Sequence, residues 1–380
     1  ADWYNVLSKV FIKLIKTVVA PLLFGTLLVG IAGHSDMKAV GRMGIKALVY
    51  FEIVTTIALV IGLAAINFTK AGVGLPQMPT TETLPEVRKP MTGPEIVLHT
   101  FPENIIKSVS EGEILQIVVF CLLFAFAMTL VSPERRRPFL TFAESLSEIM
   151  FKFTNIIMHF APFGVGGAIA YTVAKLGLGV FANLGMLLLT LYGALIVFIL
   201  GVLLPIALIF RIPLRRFLKY ASEPVTIAFA TTSSEAALPK ALENMEKMGV
   251  SRRVVSFVLP TGLSFNLDGS TLYLSLAAIF VAQAANIQMS TGAQITMLLT
   301  LMLTTKGIAG VSRASLVILT GTAASFGLPD WPIAAILGID ALMDMGRTAT
   351  NTLGNCLATV IVGQWEGETN FVDEEIAGKS

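Results

Sequence analysis

The chain reads as an all-α membrane protein, a helical bundle with two re-entrant helical hairpins and inverted repeats. Three features carry that reading. Charged residues make up 14% of the chain and hydrophobic residues 54%, whereas soluble domains average about a quarter charged. The mean hydropathy is +0.77, and charge is what a bilayer excludes. Apolar runs at 10–32, 47–68, 114–131 and 182–210 match the roughly 20 residues that cross hydrocarbon as helix. From Ala221 onward, polar and glycine clusters break the apolar stretches at membrane depth. Irregular backbone is tolerated there only where protein buries it or a cavity is lined.

A further run, 149–174, is interrupted by Lys152 and His159. The segment from Lys70 to Thr100 is rich in Pro, Thr and Glu and reads as a solvent loop. Four basic groups mark cytoplasmic loops by the positive-inside rule. They are Lys38/Arg42/Lys46, Arg135–Arg137, Arg211/Arg215/Arg216/Lys219 and Lys240/Lys247/Arg252/Arg253. That alternation is consistent only if 221–238 enters and leaves on one side, as a re-entrant segment. The opening Ala1-Asp2-Trp3-Tyr4 has no initiator Met and no basic n-region, so an earlier segment is expected to precede it.

The interruptions are Thr231-Thr232-Ser233-Ser234-Glu235, Asn266-Leu267-Asp268-Gly269-Ser270 and Lys306 through Arg313. A hairpin with a Ser/Gly tip followed by a polar helix occurs twice, over 221–287 and 294–365. Paired interrupted segments in two parts of a chain point to a transporter binding site.

The last helix, expected over 331–362, carries Asp340, Asp344, Arg347, Thr348, Asn351 and Asn355. Their spacing places them on one stripe of a 3.6-residue helix. Such a stripe is costly in a membrane unless it faces a partner or a wet cavity. Arg347 offers a planar donor fork suited to a carboxylate. Asp344 is an acceptor suited to an ammonium group, and Thr348 and Asn351 supply neutral hydrogen bonds. Together they match a ligand with a side-chain carboxylate and an amino group. A self-neutralising Arg–Asp pair is the plain alternative. It leaves the second carboxylate, Asp340, and the facing serine-rich hairpin unexplained; in the binding reading Asp340 holds Arg347 when the ligand is absent.

Ser233 and Ser234 suit a carboxylate cradled at a half-helix start, or simply an N-cap. Asn266, Asp268 and Ser270 suit a hard cation such as Na⁺, or a proton exchanged on Asp268; the plain alternative is a turn. Glu52, with Thr55 and Thr56 nearby, is an intramembrane acid and so a candidate proton site. Cys121 and Cys356 lie in apolar runs and read as packing residues. His34, His99 and His159 show no metal spacing. No nucleophile–base arrangement accompanies the stripe, which excludes an enzyme, and no basic patch with interleaved aromatics suggests nucleic acid. No cofactor is expected. Two occluding hairpins suit alternating access better than a continuous pore.

These motifs make the chain similar to the dicarboxylate/amino acid:cation symporter family, from about Trp3 to Glu366. The specific matches are at 231–239, 266–270, 307–311 and 340–354. The resemblance implies eight membrane helices plus two re-entrant hairpins in a homotrimer of the bacterial inner membrane, with a cytoplasmic C-terminus. It implies elevator-type movement and a beginning near the family's second helix.

The division it implies starts with a scaffold helix at 1–40, a transport-domain helix at 41–69 and an extracellular loop at 70–103. Scaffold helices with trimer contacts at 104–175 and a transport-domain helix at 176–215 follow. The first hairpin is then 216–250, the broken helix 251–287, the second hairpin (a gate) 288–328, the substrate helix 329–366 and a cytoplasmic tail 367–380. Carried over by position, Arg347 resembles the side-chain carboxylate clamp and Asp344 the amino-group acceptor. Thr348 and Asn351 resemble the remaining polar contacts, Ser233/Ser234 the α-carboxylate site, and Gly310 and Val311 gate backbone contacts. Ser270 stands where Thr is usual.

Sodium-coupled members place Asp where this chain has Asn355, and hydroxyls where it has Phe51 and Val54. Proton-coupled members are similar at Asn355 and Glu52, which favours H⁺ over Na⁺. Arg313 is an accessory cation beside the gate, with Glu235 or the substrate as its partner. The expected cargo is aspartate or glutamate, because Asp344 has no use in binding a C4-dicarboxylate, the runner-up.

Overall fold

The computed structural model describes residues 2–32, 39–75, 98, 101–111, 114–177, 179–305 and 314–371. Among the described residues regular structure is helical, apart from an isolated bridge between Val250 and Thr369. The first apolar runs form α1 (Asp2–Ala32), α2 (Ala39–Thr69), α3 (Ile105–Glu111) and α4 (Ile114–Leu130). The run expected at 149–174 is not one element. It divides into α5 (Pro133–His159) and α6 (Ala161–Leu176). Pro162 stands in the first turn of α6 and brings no N–H to continue the α5 ladder.

The next span is α7 (Val180–Phe198), a π turn (Ile199–Leu203) and α8 (Leu204–Ile209). The π turn sits just before Pro205, whose ring would clash with a carbonyl in an unbroken α-ladder. Helices α9 (Leu214–Thr231) and α10 (Ser234–Met248) pair as a hairpin. Asn244 Nδ2 donates to the Tyr220 carbonyl at 2.9 Å, stitching the two arms. Then α11 (Arg252–Phe265) and α12 (Asp268–Ala284) are separated by Asn266 and Leu267, both non-helical. Helices α13 (Thr291–Thr304) and α14 (Ala314–Ser325) follow.

The helix expected over 331–362 is two helices, α15 (Trp331–Ile336) and α16 (Asp340–Glu366). Gly338, a poor helix former, sits in the break. Gly338 N and Ile339 N reach back only three residues, to Ala335 and Ile336. Asp340 then opens α16, where a helix favours negative charge. Both halves of the polar region therefore share one order, two helical arms followed by a broken helix.

Packing sorts the helices into two sets. Helix α1 packs on α4, α5 and α6. Helices α2, α7 and α9–α12 gather around α16, and α12 lies along α2. Gly62 of α2 meets the Leu272 backbone and Ser275 so closely that a Cβ there would collide, so the approach of α2 to α12 depends on it. The sets meet mainly through α14 on α1, α13 on α4 and α15 on α6. Cys121 and Cys356 are buried free thiols. Ile45, Leu48, Val49, Ile53, Val60 and Phe68 of α2 are exposed, an apolar outer face suited to lipid.

The end of α16 is tied down. Lys46 Nζ lies 2.6 Å from Glu366 Oε1 and donates to the Trp365 carbonyl at 2.7 Å. Trp365 meets Tyr50 and Phe210 edge-on. Past α16 the chain folds back onto the α10–α11 turn. Asn370 N donates to the Gly249 carbonyl at 2.7 Å and Ser251 N to the Glu368 carbonyl at 3.0 Å. The Glu368 carboxylate takes the Ser251 hydroxyl and pairs with Arg253 at 3.4 Å. Arg253 is more than half exposed, which screens that pair. Glu368→Ala is therefore expected to lower the melting temperature of the solubilised protein by about 2 °C. An unchanged transition would show that this clasp contributes nothing.

Candidate functional site

Polar side chains collect where α16 crosses α12, α11 and the first hairpin. Asp340, Asp344, Arg347, Thr348, Asn351 and Asn355 are all buried, and Arg347 fully so. The stripe expected from spacing thus faces protein. Arg347 Nη2 donates to Asp340 Oδ1 at 3.0 Å and lies 2.9 Å from Asp344 Oδ1. Thr348 Oγ1 also donates to Asp344 Oδ1, at 3.3 Å. Both carboxylates therefore hold one nitrogen of the guanidinium. Arg347 Nη1 and Nε are buried without a hydrogen-bond partner among the described residues. A buried cation with N–H groups left over is expensive. The Tyr273 ring relieves part of that cost by lying under the guanidinium, 3.9 Å from ring centroid to Cζ.

Asn351 faces the start of α12. Its Oδ1 accepts from Gly269 N at 2.8 Å and Ser270 N at 3.2 Å, and its Nδ2 donates to Ser270 Oγ at 3.0 Å. The first N–H groups of any helix lack helical partners, and this side chain supplies them. Asn351 and Ser270, expected as ligand contacts, are thus engaged with each other. Below them, Asn266 Nδ2 donates to Asn355 Oδ1 at 3.0 Å and to Asp268 Oδ2 at 3.3 Å. Asn266 and Asp268 are fully inaccessible and Asn355 nearly so. Asn266 Oδ1 has no hydrogen-bond partner among the described residues. An amide oxygen and a carboxylate are hard donors suited to Na⁺ or a proton. Among the described residues no three His, Cys, Asp or Glu side chains cluster as a metal site.

The first hairpin brings its tip to the same face. Thr232 turns the chain with a left-handed φ of 53°. Ser233 caps α10, its Oγ accepting from Ala236 N at 3.2 Å. Ser234 is buried, 3.5 Å from the Thr352 hydroxyl. Glu52 sits half-buried on α2, with the Thr55 hydroxyl 3.4 Å from its backbone carbonyl. Gly310, Val311 and Arg313 lie outside the described residues, as does the second hairpin tip.

The roles of three residues escaped sequence reasoning, although Gly269 and Gly354 fall in segments it singles out. Tyr273 is one; its only signal was an aromatic one turn past Ser270. Gly269 is another, since a Cβ there would run into the backbone of Arg347. Gly354 is the third, where a Cβ would run into the Asp268 carboxylate. Small residues at both points let α12 and α16 approach closely enough to share their polar groups.

The model of the sodium:dicarboxylate symporter family matches residues 1–365. The chain is 41% identical to the proton/sodium-glutamate symport protein of Bacillus caldotenax, over 97% of this chain and 89% of that protein. It is 40% identical to the protein of the same description from Bacillus subtilis (strain 168), over 96% and 86%. It is 44% identical to a C4-dicarboxylate transport protein of Paraburkholderia phymatum, over 95% and 86%.

Gly354→Ala is expected to force Asp268 and Asn266 apart and cost about 1–3 kcal/mol by overpacking, read as a lower melting temperature. Gly185→Ala, where a Cβ meets nothing within 4 Å, is the matched control. Equal stability of the two variants would contradict the close packing of this cluster.

Proposed function

Because the chain belongs to the sodium:dicarboxylate symporter family, we propose that it imports an acidic amino acid, aspartate or glutamate, together with protons. One observation carries this reading. Arg347 is completely buried, held by Asp340 and Asp344 through a single nitrogen, with Nη1 and Nε still to be satisfied. A carboxylate on the cargo completes the guanidinium fork. Its ammonium group then takes Asp344, and its second carboxylate takes the serines of the first hairpin tip. The relatives described as glutamate symport proteins support the same cargo.

Charge balance explains why cations must accompany it. Two carboxyl groups against one guanidinium give the stripe an excess of acid, and Asp268 adds a further acidic group. An acidic amino acid brings one more into a buried place. Uncompensated buried charge is costly, so bound cations must lower that cost for the loaded state to cross the membrane. The Asn266–Asp268–Asn355 group offers one carboxylate flanked by amides. That set asks less of a proton than of a Na⁺ ion, which wants a shell of oxygens. Glu52 is the second proton candidate.

The two packing sets support an elevator reading, with α1 and α4–α6 as scaffold and α2, α7–α12 and α16 as the moving body. The re-entrant hairpins, the homotrimer and the inner-membrane location belong to the same proposal and rest on the family resemblance. A C4-dicarboxylate is the second reading, favoured by the 44% identity to a C4-dicarboxylate transport protein. It gives Asp344 no ammonium to bind.

Uptake into proteoliposomes tests the cargo. Arg347→Lys keeps the charge but loses the fork and is expected to raise the KM for aspartate about tenfold or more; Arg347→Ala abolishes uptake. Normal uptake by either variant would overturn the site. Asp344→Asn should abolish aspartate uptake; persistence of succinate uptake at the wild-type rate would establish the second reading. Separately imposed pH and Na⁺ gradients identify the coupling ion, with the pH gradient expected to drive accumulation. Glu52→Gln is expected to slow proton-driven uptake while sparing exchange, and equal loss of both would assign Glu52 a structural role.

A further inference from the structure

We infer that Tyr192 is a positioning residue for Arg347, acting from the back of α16 as a pin on its first turn. The inference rests on the proposed role of Arg347. Tyr192 projects from α7, and its hydroxyl donates to the Leu342 carbonyl at 2.8 Å. Its ring lies against Gly346, where an added Cβ would sit 3.1 Å from Cε1 and Cζ. Leu195, one turn along α7, flanks the same glycine, its Cδ1 3.1 Å from where an added Cβ would sit. The contacts fall on Leu342 and Gly346, which bracket Asp344, and Gly346 immediately precedes Arg347 in the chain.

That part of α16 needs a pin. The helix begins afresh at Asp340 after the break at 337–339, so no continuous helix fixes its start. Arg347, Asp340 and Asp344 all sit within the first two turns past this break. The three-way contact of two carboxylates on one Nη2 depends on the rotation and height of those turns. The Asp340 and Asp344 contacts and the Tyr273 ring act on the side-chain face. Tyr192 acts on the backbone and touches none of those side chains by hydrogen bond. Its hydroxyl donates to a carbonyl that already serves the helix ladder, so the bond adds position rather than satisfying a stranded group. Gly346 suits the same contact: a Cβ there would require the ring to give by a few tenths of an ångström.

The test uses the full chain, with Tyr192→Phe as the conservative variant, since it keeps the ring and removes only the hydroxyl. In proteoliposomes taking up L-aspartate, this variant is expected to raise KM roughly fivefold, as loss of one ordinary hydrogen bond would, with maximal rate within twofold of wild type. A fall in maximal rate at constant KM would overturn the inference and leave Tyr192 as packing. A second readout does not depend on the cargo. Melting temperatures of Tyr192→Phe, Asp340→Asn and the double variant, in detergent without substrate, report whether the two sites are coupled. A non-additive double variant supports action through the Arg347–Asp340 contact, and strict additivity overturns it. Wild-type uptake of aspartate, read alone, reports only on the proposed cargo, so failure of either claim is seen separately.

Discussion

A guanidinium removed from water inside an apolar protein is the constraint around which the other elements are arranged. Arg347 has no accessible surface, and desolvating such an ion costs several kcal/mol. Asp340 and Asp344 offset part of that cost and the Tyr273 face a further part. These partners exist only if α16 is enclosed. Lipid cannot supply them, so α16 must be wrapped by α9, α10, α11 and α12. The outward apolar faces then fall to α2 and to the α7–α8 span, where the most apolar 18-residue stretch of each is 44% buried, against 94% for that of Arg252–Ala284.

Enclosure alone does not make a site. The backbone breaks at Thr232, at Asn266–Leu267 and at 337–339 turn helix ends toward the same interior. Each free end brings N–H groups and a local dipole that a continuous span would hide. Asn351 satisfies one such end and Ser233 another. Gly269 and Gly354 allow the broken helix and α16 to close on each other. The result is a polar interior in which most groups are paired and Arg347 is only partly so, which suits a cargo that completes it.

Much of this was legible in the sequence because it follows from period and punctuation. The α16 stripe came from 3.6-residue spacing, and the break before Asp268 from polar residues in an apolar run. The serine cap at the first hairpin tip was open to the same reasoning. The divisions at Phe160 and at 337–339 are also signalled, by Pro162 and Gly338, but the apolar run around each masks it. Other features had no local signal. That Tyr273 lies under Arg347, that Gly354 touches Asp268 and that Glu368 folds back onto Ser251 depend on where helices cross. Crossing points are set by tertiary packing and not by the composition of either segment.

The most direct measurement is an experimental structure of the protein with L-aspartate bound. One cargo carboxylate is expected within hydrogen-bond distance of Arg347 Nη1 or Nε, with the ammonium group against Asp344. Aspartate density away from the α16 stripe, with the Arg347 contacts unchanged, would contradict it.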